Sequence, residues 1–154
     1  MPSIKRHKLD HSVYYSLNSH SARMTERSDC AVIAATALSE KPYAEVHAMF
    51  ASLGRKSQTG TNWGVMAKAF TLLGLKLIHV EREHFLGRYP KAHRCLRNVT
   101  THHPDRFKKV WADGNAYLFD TGRHVLAVKN GVNMDWTRGT ATRVKRIYRV
   151  EPII

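Results

Sequence analysis

A short turn signal near the end of the chain constrains the fold most. Asn130-Gly131 separates two apolar segments, 124–129 and 132–136. Asn and Gly both tolerate positive φ, which a two-residue type I′ turn requires at its two central positions. The signal therefore predicts an antiparallel hairpin in which Lys129 faces Val132.

This register assigns the flanking side chains to two faces of the hairpin. Residues two apart on a strand share a face, so His124, Leu126 and Asp135 are predicted to project the same way. His124 and Asp135 would be diagonal neighbours with Cβ atoms roughly 7 Å or less apart, within reach of an imidazole–carboxylate hydrogen bond. Asn133 shares this face but is the weaker partner, because it lies two positions further along. The opposite face is apolar and is expected to pack on helices; it consists of Val125, Ala127, Met134 and Trp136.

A cysteine opens the firmest helix prediction. An alanine-rich apolar run over about 29–39 follows Ser28 and Asp29, and Ser and Asp are preferred at a helix N-cap. Cys30 therefore falls in the first turn, where unpaired N–H groups and the helix dipole favour a thiolate. Taken by itself, a cysteine at this position can equally be a small buried side chain that only packs.

Cys30, His124 and Asp135 together supply the parts of a nucleophilic site. An imidazole held at one nitrogen by a carboxylate can accept a proton at the other, which is the function that a cysteine nucleophile needs. A histidine alone is more often a surface or core residue. The combination of all three therefore favours catalysis more than any one of them does.

The remaining periodic segments predict helices in the first half and strands in the second. We predict helices over 43–53 and 63–73, and strands over 75–80, 116–119 and 144–150. Helices followed by an antiparallel sheet give an α+β layout. Residues 1–21 are expected to form an irregular N-terminal arm and 22–154 a single domain, since 154 residues suit one hydrophobic core.

The charge of the chain indicates the kind of partner it attracts. Its 25 Lys and Arg against 12 Asp and Glu give a net charge of +13, a field that attracts polyanions and acidic proteins. An apolar run long enough to span a membrane and a secretory signal are both missing, so a cytoplasmic protein with no membrane partner is expected.

The cysteines and histidines do not predict a metal site. Cys30 and Cys95 are expected to be free thiols in this compartment. The histidines between 84 and 103 lack the tightly spaced pairs typical of zinc ligands. We therefore expect neither a metal nor another cofactor.

The residues around Cys30 and His124 resemble the papain-like cysteine peptidase superfamily, most closely the small papain-fold proteins of bacteriophages and mobile elements. The similar segments are Glu-Arg-Ser-Asp-Cys at 26–30, Gly-Arg-Lys at 54–56, and Gly-Arg-His-Val-Leu-Ala-Val with Asn-Gly and Asp-Trp within 122–136. The resemblance spans about residues 25–150. It implies a papain-like fold in which the N-terminus of a central helix carries the nucleophile and the helices pack on a C-terminal antiparallel sheet.

Carried over by residue, the resemblance implies Cys30 as the nucleophile, His124 as general base and acid, and Asp135 as the residue that orients the imidazole. The family often uses a glutamine six positions before the cysteine as an oxyanion donor. Met24 stands there and cannot donate; Thr25 and Asn18 are the alternatives.

Two functions follow from these observations. The first is a phage-encoded cysteine hydrolase that cleaves an amide or isopeptide bond of a protein or peptide through a thioester. Recruitment of an acidic protein substrate or partner by the positive surface is a further possibility compatible with it. Protease, deconjugating enzyme and deamidase share this chemistry and stay open. The alternative is a basic nucleic-acid-binding or host-targeting protein on a papain-like scaffold with weak or no catalysis, whose complex with nucleic acid would weaken with salt.

Overall fold

The computed structural model describes residues 29–56, 60–80, 111–134 and 144–153. The bounded helices in these ranges are α1 (Cys30–Ser39), α2 (Tyr43–Ser52) and α3 (Trp63–Leu72). The strands are β1 (Leu75–His79), β2 (Ala116–Asp120), β3 (Val125–Lys129), β4 (Val132–Asn133) and β5 (Arg146–Pro152). The α+β class and the predicted helices are confirmed. The last strand begins two residues later than predicted, and the arm over 1–21 lies outside the described residues.

The five strands form one antiparallel sheet in the order β1-β5-β2-β3-β4. The last strand, β5, lies between β1 and β2, pairing His79 with Tyr148 on one side and Asp120 with Arg146 on the other. Asp120 also pairs with Val125 of β3. Residues from four strands therefore lie at one end of the sheet.

The predicted hairpin is confirmed in turn type and register. Asn130 and Gly131 have φ of 49° and 76°, the positive values of a type I′ turn. Lys129 pairs with Val132, as the sequence predicts. The Met134 N–H donates to the Ala127 carbonyl at 2.9 Å, so this pairing continues to the last described residue of the second arm.

Both faces of strands β2 and β3 are buried. α1 packs on β3 and α3 packs on β1, and together they cover the face that carries Val125 and Ala127. The other face holds a second apolar cluster: Trp111, Tyr117, Phe119, Leu126, Val128, Val144 and Ile147. Trp111 meets Tyr117 and Phe119 edge-on, with ring centroids 4.8 Å and 5.1 Å apart.

The helices begin in three different ways. In α3, the Asn62 side chain accepts from the Val65 N–H at 2.9 Å, and in α2, Pro42 stands at the N-cap. Asp29 occupies the N-cap of α1 but its side chain makes no capping bond. Of the two capping-type residues in the sequence, Ser28 and Asp29, the second takes the N-cap position, but its buried carboxylate accepts from the Tyr43 hydroxyl at 2.6 Å instead of capping the helix.

Within the four described ranges, the helices are too short or too polar for any of them to cross a membrane.

Candidate functional site

Cys30 is the first residue of α1 and is half-buried. It packs against the helix-side apolar cluster and is not in a disulfide. The Asp29 carbonyl accepts the first intrahelical bond, from the Ile33 N–H at 2.9 Å. The predicted first-turn position is thus confirmed, and in that turn the N–H groups have no partner within the helix.

A buried hydrogen bond fixes the start of α1. The Asp29 and Tyr43 side chains belong to residues only 5% and 1% exposed, and a carboxylate so buried requires hydrogen-bond partners. The Tyr43 hydroxyl from α2 supplies one. Because Asp29 immediately precedes Cys30, this bond also restrains the backbone that carries the thiol.

Lys129 fixes the opposite end of α1. Its ammonium group donates to the Ala37 carbonyl at 3.0 Å and to the Glu40 carboxylate at 2.8 Å. That hydrogen bond and the charge of Lys129 lower the pKa of Glu40. The C-terminal end of α1 therefore lies at the C-terminal end of β3.

This contact sets the direction of α1 relative to β3. A ten-residue helix is about 15 Å long, and a five-residue strand spans about 17 Å. With their C-terminal ends together, the two elements also start at the same end of the sheet. Cys30 at the start of α1 and His124 just before β3 therefore lie toward the same end. We call it the His124 end of the sheet; its strand-end residues are His79, Arg146, Asp120 and Val125.

The backbone of His124 is held on both sides. Its carbonyl accepts from the Thr121 N–H at 2.9 Å, and its own N–H donates to the Thr121 hydroxyl at 3.0 Å. Gly122, with φ of 92°, makes the tight turn between them. His124 is half-buried and is thus part of an ordered β2–β3 connection.

The two faces of β3 separate His124 from Cys30. The alternation of side chains assigns His124 to the same face as Leu126, which is 1% exposed and lies in the second apolar cluster. α1 packs on the other face. The sequence predicted a helix face and a separate His–acid face; the second face proves to be apolar and buried too. A path from the thiol to the imidazole therefore passes around the start of β3.

The remaining predicted site residues are outside the described part of the chain. The register described here ends at Met134, one residue before Asp135. Met24, Thr25 and Asn18 also lie outside it, as does Cys95. Asn133 is described and is 4% exposed, opposite Val128.

Asp120 and Arg146 are site neighbours that the sequence did not single out. The Arg146 guanidinium donates to Asp120 Oδ2 at 3.1 Å, and the Gly122 N–H donates to Oδ1 at 2.7 Å. The Asp120 side chain, 8% exposed, therefore ties β5 to the turn before His124. The sequence signal that could have identified Asp120 is an acidic residue at the end of a strand with a glycine two positions later.

The described residues contain no group of three His, Cys, Asp or Glu side chains placed to hold a metal ion. The histidine-rich segment 84–103 lies outside them. The chain matches no protein-family model, no curated protein and no solved structure. The resemblance to papain-like peptidases therefore rests on the sequence segments around Cys30 and His124 alone.

Proposed function

We propose that this chain is a papain-like cysteine hydrolase that cleaves an amide or isopeptide bond in an acidic protein or peptide, and that it is phage-encoded and acts in the host cytoplasm. Cys30 is the nucleophile, His124 the general base and acid, and Asp135 the orienting carboxylate. The main support is the contact of Lys129 with the end of α1, since it brings the starts of α1 and β3 to one end of the sheet.

The hairpin register supports the role of orienting carboxylate that we propose for Asp135. Met134 bonds to Ala127 in the predicted pairing. One further residue in the same pairing would set Asp135 opposite Leu126 and diagonal to His124, where a carboxylate can bond an imidazole.

The reaction proceeds in two steps. His124 takes the proton of the Cys30 thiol, and the thiolate attacks the carbonyl carbon of the scissile bond. The C–N bond then breaks as the imidazolium gives its proton to the leaving amine, which leaves a thioester on Cys30. Water attacks the thioester with His124 as base, releasing the carboxylic acid and the thiol. The N–H groups at the start of α1 stabilise the oxyanion formed in each step.

Mass spectrometry after incubation with electrophilic peptide and ubiquitin-like probes tests this function. We expect a covalent adduct on Cys30 that is lost in Cys30→Ala and retained in Cys95→Ala, the matched thiol control. His124→Gln should slow adduct formation by roughly a hundredfold or more, since it removes the general base. Equal labelling of Cys30 and Cys95, or labelling that His124→Gln leaves unchanged, would contradict the proposal.

Nucleic-acid binding is the alternative, and it draws on the net charge of +13. The arginines of β5 support nucleic-acid binding less than the sequence suggests, because they are paired with carboxylates. Arg146 is paired with Asp120 at 3.1 Å and Arg149 with Glu151 at 2.7 Å. Binding to DNA or RNA that falls steeply with salt, as counterion release requires, would favour this alternative.

A further inference from the structure

Three aromatic side chains from separate elements meet on the helix side of the sheet. Trp63 opens α3, His79 ends β1 and Tyr148 lies in β5. The ring centroids of Trp63 and Tyr148 are 5.0 Å apart, and those of His79 and Tyr148 are 5.5 Å apart. Trp63 is 44% exposed although a tryptophan is costly to leave in water. We call these three residues the aromatic cluster.

The aromatic cluster lies at the His124 end of the sheet. His79 pairs with Tyr148, and on the other side of β5 Asp120 pairs with Arg146. α3 ends just before β1, so the chain reverses there and the start of α3 lies back over the end of β1. The N-termini of α1 and α3 therefore flank the same end of the sheet, with Cys30 at one and Trp63 at the other.

The separation along the sheet suits an extended peptide. β5 and β3 are two strands apart, which is about 10 Å at the usual strand spacing. An extended chain advances roughly 3.3–3.6 Å per residue. Since α1, which begins at Cys30, packs on β3, a peptide side chain resting on Tyr148 of β5 would be about three residues from a bond at Cys30.

The charges around the aromatic cluster favour a peptide over a phosphate backbone. Arg146 shares the helix-side face of β5 with Tyr148, and it is already paired with Asp120. Tilted and edge-on rings beside compensated charges suit an apolar or aromatic side chain. The net charge of the whole chain, +13, supplies longer-range attraction for acidic flanking residues.

We propose that Trp63, His79 and Tyr148 bind an aromatic side chain of an acidic peptide substrate and so determine which peptides reach Cys30. This inference rests on the proposed hydrolase function, because it places the aromatic cluster on the substrate side of the same site.

Peptide binding to the Cys30→Ala protein tests the inference without requiring catalysis. The probes are short fluorescein-labelled peptides of Glu, Ser and Gly with one central Phe, and the same peptides with Ala in its place. Fluorescence anisotropy should show roughly threefold to tenfold tighter binding of the Phe peptide, as expected for an aromatic contact. Trp63→Ala should abolish that preference and Trp63→Phe should keep most of it.

Leu72→Ala is the matched control, because Leu72 is 61% exposed at the other end of the same helix. It should leave the preference for Phe intact. His79→Ala, at the exposed end of edge strand β1, is the second variant if circular dichroism shows that Trp63→Ala does not fold, and it should also reduce the preference.

Three results would overturn the inference. They are equal binding of the Phe and Ala peptides, a preference that survives Trp63→Ala or His79→Ala in a folded protein, or tighter binding of oligothymidine that falls steeply with salt and requires Trp63. The last would indicate a nucleic-acid stacking surface. An unreactive Cys30 with the Phe preference intact would instead refute only the hydrolase.

Discussion

At the scale of single residues, the bond between Tyr43 and Asp29 joins stability to the candidate site. It lies in the core, and it restrains the residue just before Cys30. A sequence can show that Asp29 precedes a helix, because N-cap preferences are local. It cannot show that the carboxylate accepts a hydrogen bond from a tyrosine 14 positions away instead of capping the helix, because tertiary packing determines that bond.

Tyr43→Phe removes the donor and keeps the ring. We expect a loss of about 1–3 kcal/mol in the free energy of unfolding, since a buried acceptor loses a partner, measured by urea denaturation. Tyr117→Phe is the matched control, because Tyr117 also donates to a carboxylate, that of the exposed Asp113. A loss for Tyr43→Phe no larger than for Tyr117→Phe would show that the buried bond to Asp29 contributes no more to stability than the bond to Asp113.

We expect the ionisation of Tyr148 to make the stability of the protein depend on pH. Burial raises the pKa of Tyr148 above its ordinary value of 10.0, Asp120 raises it further, and Arg146 opposes both. Above pH 10.0 the unfolded chain therefore loses this proton while the folded chain keeps it, so stability falls as pH rises toward the folded pKa.

Subtracting the ultraviolet titration of Tyr148→Phe from that of the native protein isolates this group. The difference should show a titration midpoint above pH 10.0. A midpoint at or below that pH would mean that the ring is more hydrated than its burial implies.

At the scale of elements, the end of α1 depends on Lys129. Lys129→Met should lower the free energy of unfolding by about 1 kcal/mol, mainly because the Ala37 carbonyl at the helix end loses its donor. Glu40→Gln is the control and should have little effect, since exposed ion pairs contribute little; the Glu40 side chain is 77% exposed. Urea denaturation measures both. An equal effect of the two substitutions would mean that the surface ion pair dominates.

The β3–β4 turn should be intolerant of a side chain at Gly131. Its φ of 76° is unfavourable for L-residues with a Cβ, so Gly131→Ala should cost about 1 kcal/mol or more of unfolding free energy. Gly60→Ala is the control, because a Cβ there meets nothing within 4 Å and its φ is not in the left-handed range. Thermal denaturation compares the two. Equal melting temperatures for both variants would argue against the type I′ turn.

The features of the fold that could be predicted from the sequence are the local ones. Helix periodicity and the Asn130-Gly131 turn depend on neighbours in sequence, so α1 to α3 and the β3–β4 register follow from them. The position of β5 between β1 and β2 depends on long-range pairing, which single-sequence periodicity does not encode. The second buried face was missed for the same reason: Leu126 is covered by Trp111 and other residues remote in sequence.

At the scale of the whole molecule, two helices begin at one end of a single sheet. That arrangement places Cys30, His124 and the aromatic cluster toward the same end of the sheet, on different elements and on both faces of β3. The sequence named Cys30 and His124 by residue type and pattern. It did not name Trp63, His79 or Tyr148, because their meeting requires the strand order and the direction of α3.

Chemical cross-linking tests directly whether Cys30 and His124 form one site. 1,3-Dibromoacetone alkylates a reactive thiol and then a nucleophile within reach of its three-carbon chain. We predict that peptide mapping by mass spectrometry will find Cys30 joined to His124, and that His124→Gln will leave only the singly alkylated thiol. A bridge from Cys30 to another histidine, or no bridge at all in the native protein, would contradict the claim that the two residues form one site.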